Sequence, residues 1–189
     1  MRIRRVFGLT ALATVVIASA SCGDIVRSSR SPMLLIVNSI RPEGLVIART
    51  LQSDVLTATG ILPDLARTTL SVVMKDVTIV APSSNNQVRI TGYHVTYRRG
   101  DGQNREGIDV PYGFDGAFTL SVIAGNVGTA DFEIVRAIAK AESPLVQLRD
   151  GSNLISTIAD VTFFGQDAVG NELSTSASVL IDFGNFEGT

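Results

Sequence analysis

Residues 88–98 are a run of apolar and polar side chains that alternate strictly from Tyr93 to Arg98. In an extended chain, Tyr93, Val95 and Tyr97 lie on one side and the residues between them on the other. This two-residue period is typical of a β-strand with one buried face and is incompatible with an amphipathic helix. The segment therefore predicts a strand whose tyrosine-bearing face packs against a second layer.

Short apolar or alternating runs recur along the rest of the chain and are separated by clusters of Gly, Pro, Asn, Asp and Ser. Leu70, Val72 and Met74 share one face of such a run, and Phe118, Leu120 and Val122 mark another. The first of these runs is residues 68–80, and the further runs are residues 33–40, 45–51, 153–164 and 176–183. Turn clusters follow at residues 41–44, 82–86 and 165–172. We predict an all-β fold over residues 33–189, an antiparallel Ig-like β-sandwich of about seven to nine strands.

Residues 129–141 fit two patterns. Phe132, Val135, Ile138 and Ala139 have helical spacing, but Phe132, Ile134 and Ile138 also share one face of a strand. Because the surrounding segments are strands, we predict a strand here, ended by Pro144.

Composition excludes several classes of function. The 189-residue chain has one Cys and one His, which excludes a disulfide scaffold and a His- or Cys-rich metal centre. Only two of its sixteen basic residues are Lys and its net charge is −2, so it lacks the basic surface that nucleic-acid binding needs. It has no Walker or Gly-x-Gly-x-x-Gly sequence, so we expect no nucleotide and no cofactor.

The N-terminus carries an export signal. Three arginines precede 15 uncharged, mostly apolar residues, VFGLTALATVVIASA, a stretch too short for the ~20 apolar residues of a membrane span. It ends in Ser19-Ala20-Ser21-Cys22, which resembles the lipobox of bacterial lipoproteins, with Ser19 in place of the usual Leu. The alternative is an ordinary cleaved signal peptide with an incidental Cys.

The lipoprotein resemblance implies cleavage after residue 21 and acylation of Cys22, which would anchor the protein to membrane lipid. Gly23 after the Cys favours the outer membrane of the cell envelope, by similarity to the sorting rule of enteric bacteria. Without the three signal arginines, thirteen basic residues face eighteen acidic ones, a net charge of −5 that would not attract anionic lipid. We predict a signal peptide over residues 1–21, the lipidated Cys22 with a flexible tether over residues 22–32, and the sandwich from residue 33.

Two segments resemble immunoglobulin-like and fibronectin type III modules. Residues 90–98, ITGYHVTYR, resemble the third strand of such modules, and residues 161–171, VTFFGQDAVGN, resemble a strand and turn of bacterial Ig-like repeats. The chain lacks the core Trp of fibronectin type III modules. The resemblance implies the sandwich class and leaves function open.

A candidate binding loop follows the tyrosine-bearing strand. Residues 98–118 combine arginine and aromatic side chains, which are favoured in interface cores, in a long connection at the end of a sandwich. The candidate residues are Arg98, Arg99, Asp101, Arg105, Tyr112 and Phe114. Arg99-Gly100-Asp101 also matches an adhesion tripeptide, but a turn explains these residues better. A loop folded onto its own sheet, with Tyr112 and Phe114 buried, fits the sequence equally well.

Acidic residues and the single histidine could also serve chemistry. Asp101, Asp109, Asp115, Asp167 and Glu172 lie near glycines in two turn-rich stretches, where carboxylates could bind calcium or act in pairs. Their spacing matches no calcium loop, and Asp beside Gly is typical of turns.

His94 would be needed for a catalytic triad. It lies in mid-strand without a nucleophile elbow, and we expect an exposed strand histidine on the outer face.

The sequence thus predicts a lipid-anchored, non-catalytic envelope protein whose sandwich interacts with an envelope protein partner. A carbohydrate-binding or adhesion module is the alternative, with Tyr112 and Phe114 as stacking rings. A hydrolase using Asp109 and Asp115 is the third hypothesis.

Overall fold

The computed structural model describes residues 30–42, 50–79 and 81–186. These residues form eight strands, a one-turn helix and a short 3-10 helix. The strands are β1 (Met33–Pro42), β2 (Thr50–Asp54), β3 (Asp64–Met74), β4 (Gln87–Arg98), β5 (Phe114–Ile123), β6 (Val127–Val135), β7 (Ile155–Asp167) and β8 (Glu172–Gly184). The helix α1 spans Ala137–Ala141, and the 3-10 helix spans Leu145–Leu148.

The strands form two sheets, which confirms the predicted all-β sandwich. The smaller sheet has the order β1-β3-β6, and the larger has the order β2-β8-β7-β4-β5. All neighbours pair antiparallel except the short edge strand β2, which runs parallel to β8. The chain crosses from the larger to the smaller sheet between β5 and β6, where Gly125 donates its N–H to the carbonyl of Val72 in β3.

The core lies between the sheets and is centred on aromatic rings. Tyr93 of β4 and Phe163 of β7 face Phe132 of β6, at ring-centroid distances of 4.9 Å for Tyr93–Phe132 and 5.4 Å for Phe132–Phe163. The alternation predicted for β4 and β3 is confirmed, because Val95 and Tyr97 join Tyr93 in the core and Leu70 and Val72 are fully buried. Edge-to-face rings of this kind add directional attraction to the hydrophobic gain.

The strand register places the connections at two opposite ends. The N-terminal end is the end where β1 begins, and it carries Ser31 and Pro32, the loop that follows β3 from Lys75, the β5–β6 turn and the β7–β8 turn. The loop end is the opposite one, and it carries the long connection 99–113, α1 and the 3-10 helix.

Residues 129–141 do not form one strand, which corrects the prediction. β6 ends at Val135, and the chain then turns into α1. Within α1, Lys140 carries its ammonium to the partly buried carboxylate of Asp64. Residues 129–135 thus follow the strand pattern, and residues 137–141 follow the helix pattern.

Several predicted boundaries shift. β3 covers residues 64–74 rather than 68–80, and β7 continues to Asp167, so the predicted turn 165–172 shrinks to residues 168–171. Of the predicted run 45–51, residues 45–49 lie outside the described residues, as do Cys22 and the signal peptide. Of the predicted tether, Ser31 is already buried, and its hydroxyl accepts a hydrogen bond from the Met33 N–H.

Candidate functional site

The first turn of connection 99–113 is held by Arg99 and Asp101. The N–H of Gly102 donates to the carbonyl of Arg99, and Gly102 has a φ of +81°. The Arg99 guanidinium contacts the Asp101 carboxylate at 2.6 Å. This confirms the turn predicted for Arg99-Gly100-Asp101. The Arg99 side-chain hydrogen bond lowers the pKa of Asp101, so the carboxylate stays ionised in the turn.

The second turn is held by Arg105 and Asp109. One Asp109 oxygen accepts from the Arg105 backbone N–H at 3.1 Å and from its Nε at 2.8 Å. The Arg105 side-chain bond lowers the pKa of Asp109, and the charge of Arg99 adds to the effect. Val110, fully buried, fixes this part of the connection to the core.

The two candidate aromatic residues have different environments. Phe114 is buried, with its ring 6.2 Å from that of Tyr93 and the Arg136 guanidinium 4.6 Å above it. Tyr112 is 53% exposed, and its ring covers Gly107, where an added Cβ would lie 2.4 Å from the Tyr112 hydroxyl. Of the two arrangements that the sequence left open, the one with both rings buried is therefore wrong for Tyr112, and of these two rings only that of Tyr112 is exposed.

Arg98 does not join the connection. Its Nε lies 2.6 Å from an Asp160 oxygen on the outer face of the larger sheet, and Ser178 donates to the same carboxylate. The structure therefore brings four of the six candidate residues together in connection 99–113: Arg99, Asp101, Arg105 and Tyr112. Phe114 supports the connection from the core.

A buried ion pair at the loop end was not foreseen from the sequence. Lys140 of α1 is 1% exposed, and its Nζ lies 2.9 Å from Asp64 Oδ1 and 2.9 Å from the carbonyl oxygen of Asp54. Ser53 donates to the other Asp64 oxygen. Burial raises the pKa of Asp64, although Lys140 and Ser53 oppose the shift. One lysine thus joins α1 to β2 and β3.

This cluster extends to Tyr97. The Tyr97 hydroxyl donates to the Ile134 carbonyl at 2.6 Å, and burial, reinforced by the charge of Asp64, raises the pKa of the hydroxyl. With Lys140 almost fully enclosed, the cluster can fix the positions of strands but offers no surface to a substrate. The only sequence signal was a lysine within the apolar run Ala-Ile-Ala-Lys-Ala.

The single histidine lies on the outer face of the larger sheet, as predicted. His94 Nδ1 is 2.7 Å from Asp115 Oδ1, and both side chains are open to solvent. Asp115 is therefore paired with His94 and Asp109 with Arg105, so the two carboxylates of the hydrolase hypothesis have different partners. Among the residues that the structure describes, no three His, Cys, Asp or Glu side chains are placed to hold a metal ion.

Asp167 forms the β7–β8 turn. Its carboxylate accepts hydrogen bonds from the N–H groups of Val169 and Asn171 and from the Asn171 side chain. Interaction with the Ser31 hydroxyl also lowers the pKa of this carboxyl group. This is the turn role expected for Asp beside Gly, here at Gly170 with a φ of +86°.

No helix in the described part of the chain is long and apolar enough to cross a membrane. Cys22, the predicted lipidation site, lies outside that part.

Comparisons with known proteins identify no family. No protein-family model matches the chain, and no curated protein matches it. The X-ray structure of Northeast Structural Genomics Consortium target SoR45 is similar at 9% sequence identity, with 84% of this chain and 90% of that chain covered and a TM-score of 0.36. A likeness of this degree carries no argument, so function has to be argued from the residues of this chain.

Proposed function

We propose that this protein is a non-catalytic lipoprotein of the bacterial cell envelope, anchored through Cys22 and presenting the loop end of its sandwich to an envelope protein. The observation that carries the proposal is that the entry of the chain and the candidate binding connection lie at opposite ends of the sandwich. The chain enters the sandwich at Ser31, at the N-terminal end, and the candidate binding connection lies at the other end. An anchor on the N-terminal side therefore leaves the loop end free to meet a partner.

The surface of the loop end supports a protein partner. Exposed apolar side chains lie at the same end of the sandwich as the Arg99–Asp101 and Arg105–Asp109 pairs, a mixture typical of protein interfaces with an apolar centre and a charged rim. The apolar residues are Leu62, Ile108, Tyr112, Ile138 and Leu154. Because the arginines are held by neighbouring carboxylates, their positions are set before a partner binds, which lowers the entropy lost on association.

The burial of Lys140 and the pairing of Asp109 and Asp115 with separate partners favour the non-catalytic proposal over the hydrolase hypothesis. Of the two rings offered for sugar stacking, Phe114 is buried, which leaves carbohydrate binding with Tyr112 alone.

The test is purification of the full-length protein from membranes in mild detergent, with bound proteins identified by mass spectrometry. We expect a stoichiometric envelope partner that is lost with Ile108→Asp and retained with Val127→Ser, a matched exposed site at the opposite end. A Cys22→Ser variant should leave the membrane fraction. A membrane-bound protein without a partner, or a partner retained by Ile108→Asp, would contradict the role of the loop end, and a soluble, unlipidated wild type would contradict the anchor.

A further inference from the structure

We infer that the N-terminal end of the sandwich is a lipid-contacting surface, and that Val77 and Val169 enter the headgroup region of the bilayer that holds Cys22. The inference rests on the proposed lipid anchor and adds the orientation of the body and the side chains that touch the membrane. The N-terminal end contacts the lipid bilayer itself and not another protein.

Two loops flank the point where the chain enters the sandwich. The Ser31 hydroxyl interacts with Asp167, which forms the turn that carries Val169. The Pro32 carbonyl accepts a hydrogen bond of 2.8 Å from the N–H of Lys75, which begins the loop that carries Val77. The point at which the tether leaves the body thus lies beside these two loops.

Both loops carry an apolar side chain where turns usually have polar ones. Val77 is 88% exposed and Val169 is 82% exposed. The exposed side chains of Leu34 and Val127 lie at the same end, at the starts of β1 and β6. Aliphatic side chains grouped in this way gain free energy by leaving water for the boundary between headgroups and acyl chains.

The length of the tether limits the orientation. Eight residues separate Cys22 from Ser31, so nine Cα steps of at most ~3.6 Å reach about 32 Å when fully extended. The 13-residue strand β7 is about 40 Å long at ~3.3 Å per residue. Because the tether is shorter than the sandwich, the body cannot stand on its loop end while Cys22 remains in the bilayer.

The outer face of the larger sheet is a poor alternative contact. It carries a row of polar pairs, among them Arg98–Asp160, Thr162–Ser176 and Ser156–Asp182. Pressing that face into lipid would remove water from these charged and polar groups, which is costly. The apolar loops therefore favour contact through the N-terminal end, and with a mature net charge of −5 the contact should depend little on salt.

Single-tryptophan reporters test the orientation, since the chain contains no Trp. Val77→Trp and Val169→Trp place a reporter at the N-terminal end, and Leu154→Trp, at a 51% exposed site of the loop end, is the matched control. Each full-length variant is purified in mild detergent and reconstituted into phosphatidylcholine vesicles with and without brominated acyl chains. We expect blue-shifted emission and severalfold stronger bromine quenching for the first two variants than for Leu154→Trp, unchanged in high salt.

The outcomes separate this inference from the anchor on which it rests. If the protein floats with vesicles but all three reporters are quenched equally weakly, the anchor stands and the lipid-contacting end is wrong. If quenching is strongest for Leu154→Trp, the orientation is reversed and the inference is also wrong. If intact mass shows an unmodified Cys22 and the protein does not float, the proposed anchor itself fails. Unchanged melting temperatures of the three variants confirm that the reporters have not disturbed the fold.

Discussion

At the N-terminal end of the sandwich the core is closed by hydrogen-bonded turns, whereas at the loop end it is closed by an ion pair carried on a helix. Asp167 caps its own turn through backbone and side-chain donors within four residues, and only Ser31 comes from far along the chain. Lys140 instead joins α1 to strands that lie 76 and 86 residues earlier. The turn at Asp167 is thus held mainly by contacts local in sequence, whereas the Lys140 ion pair depends on contacts distant in sequence.

The difference also appears in the two carboxyl groups. Burial acts to raise the pKa of Asp167, but the hydrogen bonds from Asn171, Ser31 and Val169 outweigh it, so the pKa is lowered. At Asp64 burial prevails over Lys140 and Ser53, and the pKa is raised. Both carboxylates accept several hydrogen bonds, but the ionised form is favoured at Asp167 and disfavoured at Asp64. The loop end is the more vulnerable to substitution, because a charge lies inside it.

The largest effect is expected for Lys140→Ala. Removing one partner of a buried ion pair leaves the other without compensation, and we expect the free energy of unfolding to fall by about 3–5 kcal/mol. Urea denaturation measures the loss. The control is Lys75→Ala, which replaces the other lysine of the chain and should lower the free energy of unfolding by less than about 1 kcal/mol. The double variant Lys140→Met/Asp64→Asn should lose less than the sum of its single variants. Additive losses would contradict a coupled pair.

A smaller effect is expected at the N-terminal end for Asp167→Ala. The substitution leaves the N–H groups of Val169 and Asn171 without their acceptor, which should lower the free energy of unfolding by about 1–3 kcal/mol. Asp76→Ala is the matched control, because Asp76 also caps its loop, through Thr78, but lies fully in solvent. Equal losses for the two variants would show that neither the burial of Asp167 nor its link to Ser31 adds to the stability of the fold.

The same division explains what the sequence could predict. The period of two in β4 and the Asp-x-x-Gly-Asn turn after β7 are local patterns, and both predicted structures are present. The pairing of Lys140 with Asp64 depends on how β3 and α1 pack, and no local pattern of either segment reports that. In the candidate binding connection, the turns at Asp101 and Asp109 followed from residue types, but the burial of Phe114 and the exposure of Tyr112 depend on which ring faces Tyr93.

The two carboxyl groups should give opposite pH dependences. Because the folded pKa of Asp167 is below its ordinary value of 3.8, its stabilising contribution is present above that pH and is lost as the pH falls through the folded pKa. Asp64 has a raised folded pKa, so its contribution is greatest below pH 3.8 and declines as the pH rises through the folded pKa. Unfolding of the wild type, Asp64→Asn and Asp167→Asn should be measured from about pH 3 to pH 7. The stability advantage of the wild type should grow with pH against Asp167→Asn and shrink against Asp64→Asn, and parallel trends would contradict the comparison.

The smallest effect is expected for an ion pair that closes neither end. Arg67 and Asp131 face each other across β3 and β6 on the outer surface of the smaller sheet, with Arg67 Nε 2.6 Å from Asp131 Oδ1. Since water already solvates both groups, Asp131→Asn should cost only about 0.2–1 kcal/mol, measured by urea denaturation. The difference should vanish in about 1 M salt, where the Debye length is ~3 Å, while the loss caused by Lys140→Ala persists because that pair is shielded from solvent ions. If salt abolishes both losses, the Lys140–Asp64 pair is open to solvent, and the loop end is not closed by a buried charge.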